Sequence, residues 1–157
     1  MARKSSALGW LKSTSNRTFV VWPLALLAAE WALQGGPPRI NAWALPLLAW
    51  GYLQYRWVGI FRTRLGGGGP GLSNPPERIV EAGPYRWVRN PMYLGHLIFL
   101  AGLAVVLRSW LGLALFALHA VWFESRVRTD ERGLLERFGE PYREYCGRVK
   151  RWIPGVY

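Results

Sequence analysis

Carboxylates are scarce in this chain: nine Asp and Glu stand against twenty Lys and Arg, a formal net charge of +11 over 157 residues. Cysteine is scarcer still. The single thiol, Cys146, excludes an internal disulfide, and nothing around it marks an activated nucleophile. Two histidines and one cysteine, scattered along the chain, offer no metal-ligand cluster. The run Gly66-Gly67-Gly68-Gly69-Pro70-Gly71 lacks the Gly-Lys-Ser/Thr ending that places a lysine on phosphate. A phosphate loop is excluded, and the run reads as a flexible linker. No small-residue cleavage site follows the first apolar run, so no cleavable signal peptide is expected.

What is abundant is apolar and aromatic: 51% hydrophobic residues and ten Trp. A basic nucleic-acid binder would spread its charge over a polar sequence. Here the charge sits in blocks between apolar runs, which argues against nucleic acid as a partner. It predicts instead an all-α, polytopic membrane protein. Four runs are expected as transmembrane helices: Thr18 to Leu33, Ile40 to Phe61, Pro91 to Leu107 and Ser109 to Phe123. The third and fourth are short, separated only by Arg108 and a capping Ser109, and predict a tight hairpin. The fourth should continue into its charged extension. The basic N-terminal segment, the loop 62–90 and the tail outweigh the turns carrying Arg39 and Arg108, which places both termini in the cytoplasm of an inner or plasma membrane. Two regions follow: 1–61, a basic segment and first hairpin, and 62–157, the loop, second hairpin and C-terminal helices.

The chain is organised around Gly83-Pro84-Tyr85-Arg86-Trp87-Val88-Arg89-Asn90-Pro91-Met92-Tyr93-Leu94-Gly95. Asn90-Pro91 reads as a helix start, with the Asn side chain expected to accept from the first free backbone N–H groups. That helix end, two arginines and three aromatic rings sketch a site for an anionic, flat-faced ligand, and the same residues equally suit an interfacial aromatic belt with positive-inside arginines. Past the hairpin, Glu124, Arg128 and Glu131 share one helical face. Phe138-Gly139-Glu140-Pro141 should end that helix, and a short amphipathic helix restarts from Pro141 to Val149. Its basic face suits anionic lipid headgroups.

Together, Gly83-Pro84-Tyr85, Val88-Arg89-Asn90-Pro91-Met92-Tyr93 and Gly95, then Asp130-Glu131, Leu134, Phe138-Gly139, Tyr142, Tyr145, Val149 and Pro154, resemble the isoprenylcysteine carboxyl methyltransferase and phospholipid methyltransferase superfamily. The similarity covers residues 77–154. The resemblance implies S-adenosylmethionine as cofactor and a lipophilic methyl acceptor. It puts Ile79, Val80, Tyr85, Arg89, Asn90, Pro91, Tyr93, Gly95, Asp130 and Glu131 at the cofactor, and Arg126 at the acceptor. His96, beside Gly95, is a candidate proton acceptor. Eukaryotic isoprenylcysteine enzymes have Arg-His-Pro where this chain has Arg89-Asn90-Pro91, and the family commonly has Glu-Glu where it has Asp130-Glu131. Two other functions compete: a nicotinamide-dependent reductase related to sterol reductases, and a non-enzymatic membrane scaffold.

Overall fold

A computed structural model describes residues 7–69 and 71–156; Arg3 and Lys4 of the basic N-terminal segment lie outside these residues. The described chain is helical. Short helices α1 (Ala7–Lys12) and α2 (Thr14–Asn16) lead through a π-helical turn, Arg17–Val21, into α3 (Trp22–Gln34). A 3₁₀ turn, Ala42–Ala44, opens α4 (Leu45–Gly66). A second 3₁₀ turn, Gly83–Arg86, precedes α5 (Pro91–Leu107), followed by α6 (Trp110–Phe138) and α7 (Glu140–Arg148).

α5 is the element the others pack around. It is apolar on every side and starts at Pro91, whose missing N–H costs nothing at a first helical position. α4 runs antiparallel along it at very close range. A Cβ added to Gly51 would lie 2.4 Å from Phe99 N, and one added to Gly95 would lie 2.9 Å from Gly51 O. Close backbone approach at this crossing therefore requires both glycines. Leu26, Phe99, Leu103 and Leu107 fill one end of the interior, while Tyr55, Val58, Val80, Tyr85 and Met92 fill the other. Ser109 caps α6 by accepting from Gly112 N at 2.8 Å, which makes the α5–α6 turn as short as the sequence suggests. α6 runs unbroken from its apolar half into its charged half. It stops at Gly139 (φ 62°), a left-handed position that favours glycine.

The transmembrane expectation is overturned: among the described residues no helix is long and apolar enough to cross a membrane. The reason is visible helix by helix. α3 has 13 residues. α5 has 17 residues and is about 25 Å long at ~1.5 Å per residue, against the ~30 Å of a hydrocarbon core. α4 is long enough but carries Gln54, Arg56, Arg62 and Arg64. α6 turns ionic from Glu124. The fold is all-α, and the polytopic membrane architecture is not what the structure has.

Two local readings also change. The tetraglycine is no linker. Gly67, Gly68 and Gly69 all have positive φ (71°, 76° and 98°), and a Cβ on Gly68 would fall 2.1 Å from Pro75 O. The main chain closes the turn, with Glu77 N donating to Gly66 O at 2.6 Å. Arg62 and Arg64, placed in the loop from sequence, belong instead to the last turns of α4, and Arg62 is buried.

Candidate functional site

The 83–95 stretch and α6 meet, as the family resemblance implies, and two successive acids on α6 divide the work. Glu131 is buried behind the meeting point. Arg89 grips it with two bonds, Nε to Oε1 at 2.9 Å and Nη2 to Oε2 at 3.2 Å. Arg151 adds Nε and Nη2 on Oε2 at 3.1 and 2.9 Å, and Asn90 Nδ2 donates to Oε1 at 3.0 Å. Burial on its own would raise the Glu131 carboxyl. The hydrogen bonds from Arg89 and Arg151 outweigh burial and hold it below the ordinary carboxylate value. Arg89 also donates from Nη1 to the carbonyls of Cys146 (2.9 Å) and Val149 (2.7 Å), tying the end of α7 to the start of α5. Arg89 N donates to Lys150 O at 2.9 Å beside an isolated parallel bridge, Val88 to Lys150. Bidentate, buried and doubly contacted, this knot fixes the wall of the site.

Asp130 faces the other way, into a cavity of about 370 Å³. Tyr93 donates its hydroxyl to Asp130 Oδ2 at 2.6 Å, and Arg126 Nε donates to Oδ1 at 3.2 Å. Burial, followed by the bond to Asp130, raises the Tyr93 phenol well above its usual value, so it stays a donor at neutral pH. Further walls come from Tyr85, Arg89 and Asn90 ahead of α5, from Leu72, Ser73, Pro75 and Pro76, from Arg62 on α4 and from Arg137. Tyr85 is held in turn by α7, where Tyr145 donates to its carbonyl oxygen at 2.8 Å.

Of the residues singled out from sequence, Tyr85, Arg89, Asn90, Tyr93, Arg126 and Asp130 line this cavity. Ile79 and Val80 line a smaller neighbouring void of about 40 Å³ that shares Tyr85 and Arg89. The other four lie elsewhere. Glu131 stands behind the wall. Pro91 spends its carbonyl on Gln54 Nε2 at 3.0 Å, and Gly95 is consumed by the α4 crossing. His96 is fully buried among the rings of Phe19, Tyr55 and Phe123. Its Nδ1 lies 2.9 Å from Met92 O, and its Nε2 has no hydrogen-bond partner among the described residues. Burial pushes it down to about 4, so it is neutral at physiological pH. Asn90 also departs from its expected cap role: its side chain makes no cap bond and donates to Glu131 instead. An amide that donates to a carboxylate needs no titratable proton, which suits Asn at this position.

Sequence reasoning missed Arg62, Thr129, Gly133 and Arg137 as cavity residues. The last three lie at helical spacing from Arg126 and Asp130 on the same α6 face, a signal that was available. Arg62 continues the buried face of α4 through Gly51, Tyr55 and Val58, but its charge disguises it.

Residues 50–140 match the sequence profile of the phospholipid methyltransferase family. The chain is also similar to protein-S-isoprenylcysteine O-methyltransferases. With that of Saccharomyces cerevisiae it is 36% identical over 80 residues, covering 50% of this chain and 33% of the relative. With that of Schizosaccharomyces pombe the figures are 34% over 83 residues, 52% and 35%. With that of Homo sapiens they are 36% over 80 residues, 50% and 28%. The match thus spans about a third of the length of these curated relatives. The matched stretch contains the α4–α5 crossing, the Tyr93–Asp130 bond and the Arg89–Glu131 pair, and by that match the chain belongs to the phospholipid methyltransferase family.

Proposed function

We propose that this protein transfers a methyl group from S-adenosylmethionine to the carboxylate of a prenylated acceptor. The carrying observation is the cavity itself, where one carboxylate, Asp130, stands among Tyr93, Tyr85 and four arginines. Its volume, about 370 Å³, lies within the roughly 300–1,000 Å³ typical of small-molecule sites. The donor set fits the cofactor. A carboxylate accepts at about four lone-pair positions, so Asp130 can serve a ribose diol while keeping Tyr93 and Arg126. Tyrosine rings suit an adenine. When bound, S-adenosylmethionine supplies an electrophilic methyl group on a sulfonium centre.

Arg126 is the residue for the acceptor. Its Nε is engaged with Asp130, and the other guanidinium N–H groups are suited to a carboxylate in bidentate geometry. An ionised carboxylate is already a nucleophile. No base has to remove a proton, which agrees with a His96 sealed in the core and with Asn90 in place of an imidazole. The protein's contribution is then orientation and exclusion of water, and Glu131 makes it by locking α5, α6 and α7 together. The prenyl group is carried over from what the relatives' name says they act on. Exposed indoles of Trp43, Trp57, Trp87 and Trp110 favour work at a lipid boundary.

The test supplies the purified protein with methyl-labelled S-adenosylmethionine and N-acetyl-S-farnesylcysteine. Base-labile label in the lipid, absent when its carboxamide is used, is the expected result. Label in neither, from a folded preparation, contradicts the proposal.

A further inference from the structure

Arg62 is a buried cavity cation that no carboxylate answers among the described residues. It is 8% exposed, near the end of α4, and lines both the main cavity and its small neighbour. Its Nη2 donates to two carbonyls of the glycine turn, Gly69 O at 2.8 Å and Gly71 O at 2.7 Å. Its Nε has no hydrogen-bond partner among the described residues. Among the described residues no carboxylate pairs with it, whereas Arg89 and Arg151 share Glu131, and Arg126 holds Asp130.

Burying a cation without a counter-ion costs several kcal/mol, and carbonyl dipoles offset only part of that. The surrounding wall sharpens the imbalance: with Arg89 answered by Glu131, Arg62, Arg126 and Arg137 face the carboxylate of Asp130. A cavity of that charge is built for a ligand that brings its own anion. Building on the methyl-transfer reading above, we propose that Arg62 binds a carboxylate of a cavity ligand. The same guanidinium pins the glycine turn, so the anion and the turn share one anchor. The carboxylate has two possible sources, the amino-acid end of the methyl donor or the acceptor, and the chemistry at Arg62 is the same for both.

Calorimetry on the full chain separates them. One arm compares S-adenosylhomocysteine with 5′-methylthioadenosine, which lacks the amino-acid carboxylate. The other compares N-acetyl-S-farnesylcysteine with its carboxamide. In the unaltered protein the acceptor pair differs through Arg126 in any case, and the pair that Arg62 serves should owe about tenfold or more of its difference to Arg62, as expected for a charge-assisted bond. Arg62→Gln should remove that share, and Arg62→Lys should retain part of it. The pair that responds names the source. If Arg62 were only a latch for the turn, its loss would weaken both members of a pair equally. Equal weakening, or discrimination in both pairs undiminished by Arg62→Gln, overturns the proposal. Should both variants fail to fold, Arg126→Gln removes the acceptor's other anchor and decides: discrimination left in a pair supports Arg62, and none in either pair overturns it. Binding of 5′-methylthioadenosine without discrimination leaves the methyl-donor reading standing and removes only Arg62. Binding of no ligand, from a folded preparation, removes both.

Discussion

Asp130 and Glu131 are neighbours on one helix and of one chemistry, yet they sit in different regions of the molecule. Glu131 is enclosed by Arg89, Asn90 and Arg151 and lies behind the wall. Asp130 has one phenol and one half-exposed arginine, and faces the cavity. A helix turns about 100° per residue, so adjacent side chains point to different faces and adjacent acids can have unrelated jobs. The lesson is to separate charges that are satisfied from charges that are kept available. The first hold the fold and the second meet ligand.

The largest effect should come from the satisfied side. Glu131→Ala leaves the largely covered Arg89 without its carboxylate and Arg151 with Glu124 alone, and should cost about 3–5 kcal/mol in denaturant unfolding. A loss under about 1 kcal/mol would dissolve the distinction between the two acids, since that is the scale of exposed pairs. Loss of ligand binding in this variant would be uninformative, because it follows from unfolding.

The next effect concerns pH. His96 in the folded protein lies near 4, below the ordinary 6.5, so the unfolded chain binds the extra proton between those values. Stability is therefore complete above pH 6.5 and falls on acidification toward 4, by about 2 kcal/mol between pH 6.5 and 5. Glu131, held below its ordinary 4.5, adds a second loss as pH falls further. His96→Leu should make the upper part of the curve shallower, the remainder coming from His119, which burial also holds below 6.5, and leave the lower part. An unchanged upper limb would assign the acid sensitivity elsewhere.

Smaller again is Gly68→Ala. Its φ of 76° and the nearby Pro75 carbonyl oppose a Cβ, at a cost of about 1–2 kcal/mol confined to the turn. Protease sensitivity at 66–76 should rise with little change in global melting. The smallest effect belongs to the exposed Arg143–Glu140 pair: Glu140→Gln should shift stability by no more than about 0.5 kcal/mol.

Much of this comparison could be read from residue order. Asn90-Pro91 marked the start of α5, Arg108-Ser109 the hairpin, and Gly139 the end of α6, because caps and breakers act locally. The approach of the 83–95 stretch to Asp130-Glu131 followed from the family resemblance. The misreadings differ in cause. Apolar runs 2 and 4 suggest spans by length, but Arg56, Arg62 and Arg64 in α4 and the ionic half of α6 from Glu124 leave neither helix apolar enough along its length. The glycine run suggested slack, since nothing local announces that Pro75 and Arg62 will close on it. His96 suggested chemistry because an isolated imidazole looks functional until its ring is found wedged among Phe19, Tyr55 and Phe123. In the last two cases a tertiary neighbour decided the outcome.

The measurement that bears most directly on the account is calorimetric titration of S-adenosylhomocysteine into the unaltered protein and Asp130→Asn, with melting curves for both. The account predicts binding to the unaltered protein, about tenfold or more weaker binding to Asp130→Asn, and nearly unchanged melting, because Asp130 serves the ligand and Glu131 the fold. Equal affinity in both proteins, or no binding by a folded unaltered protein, would contradict it.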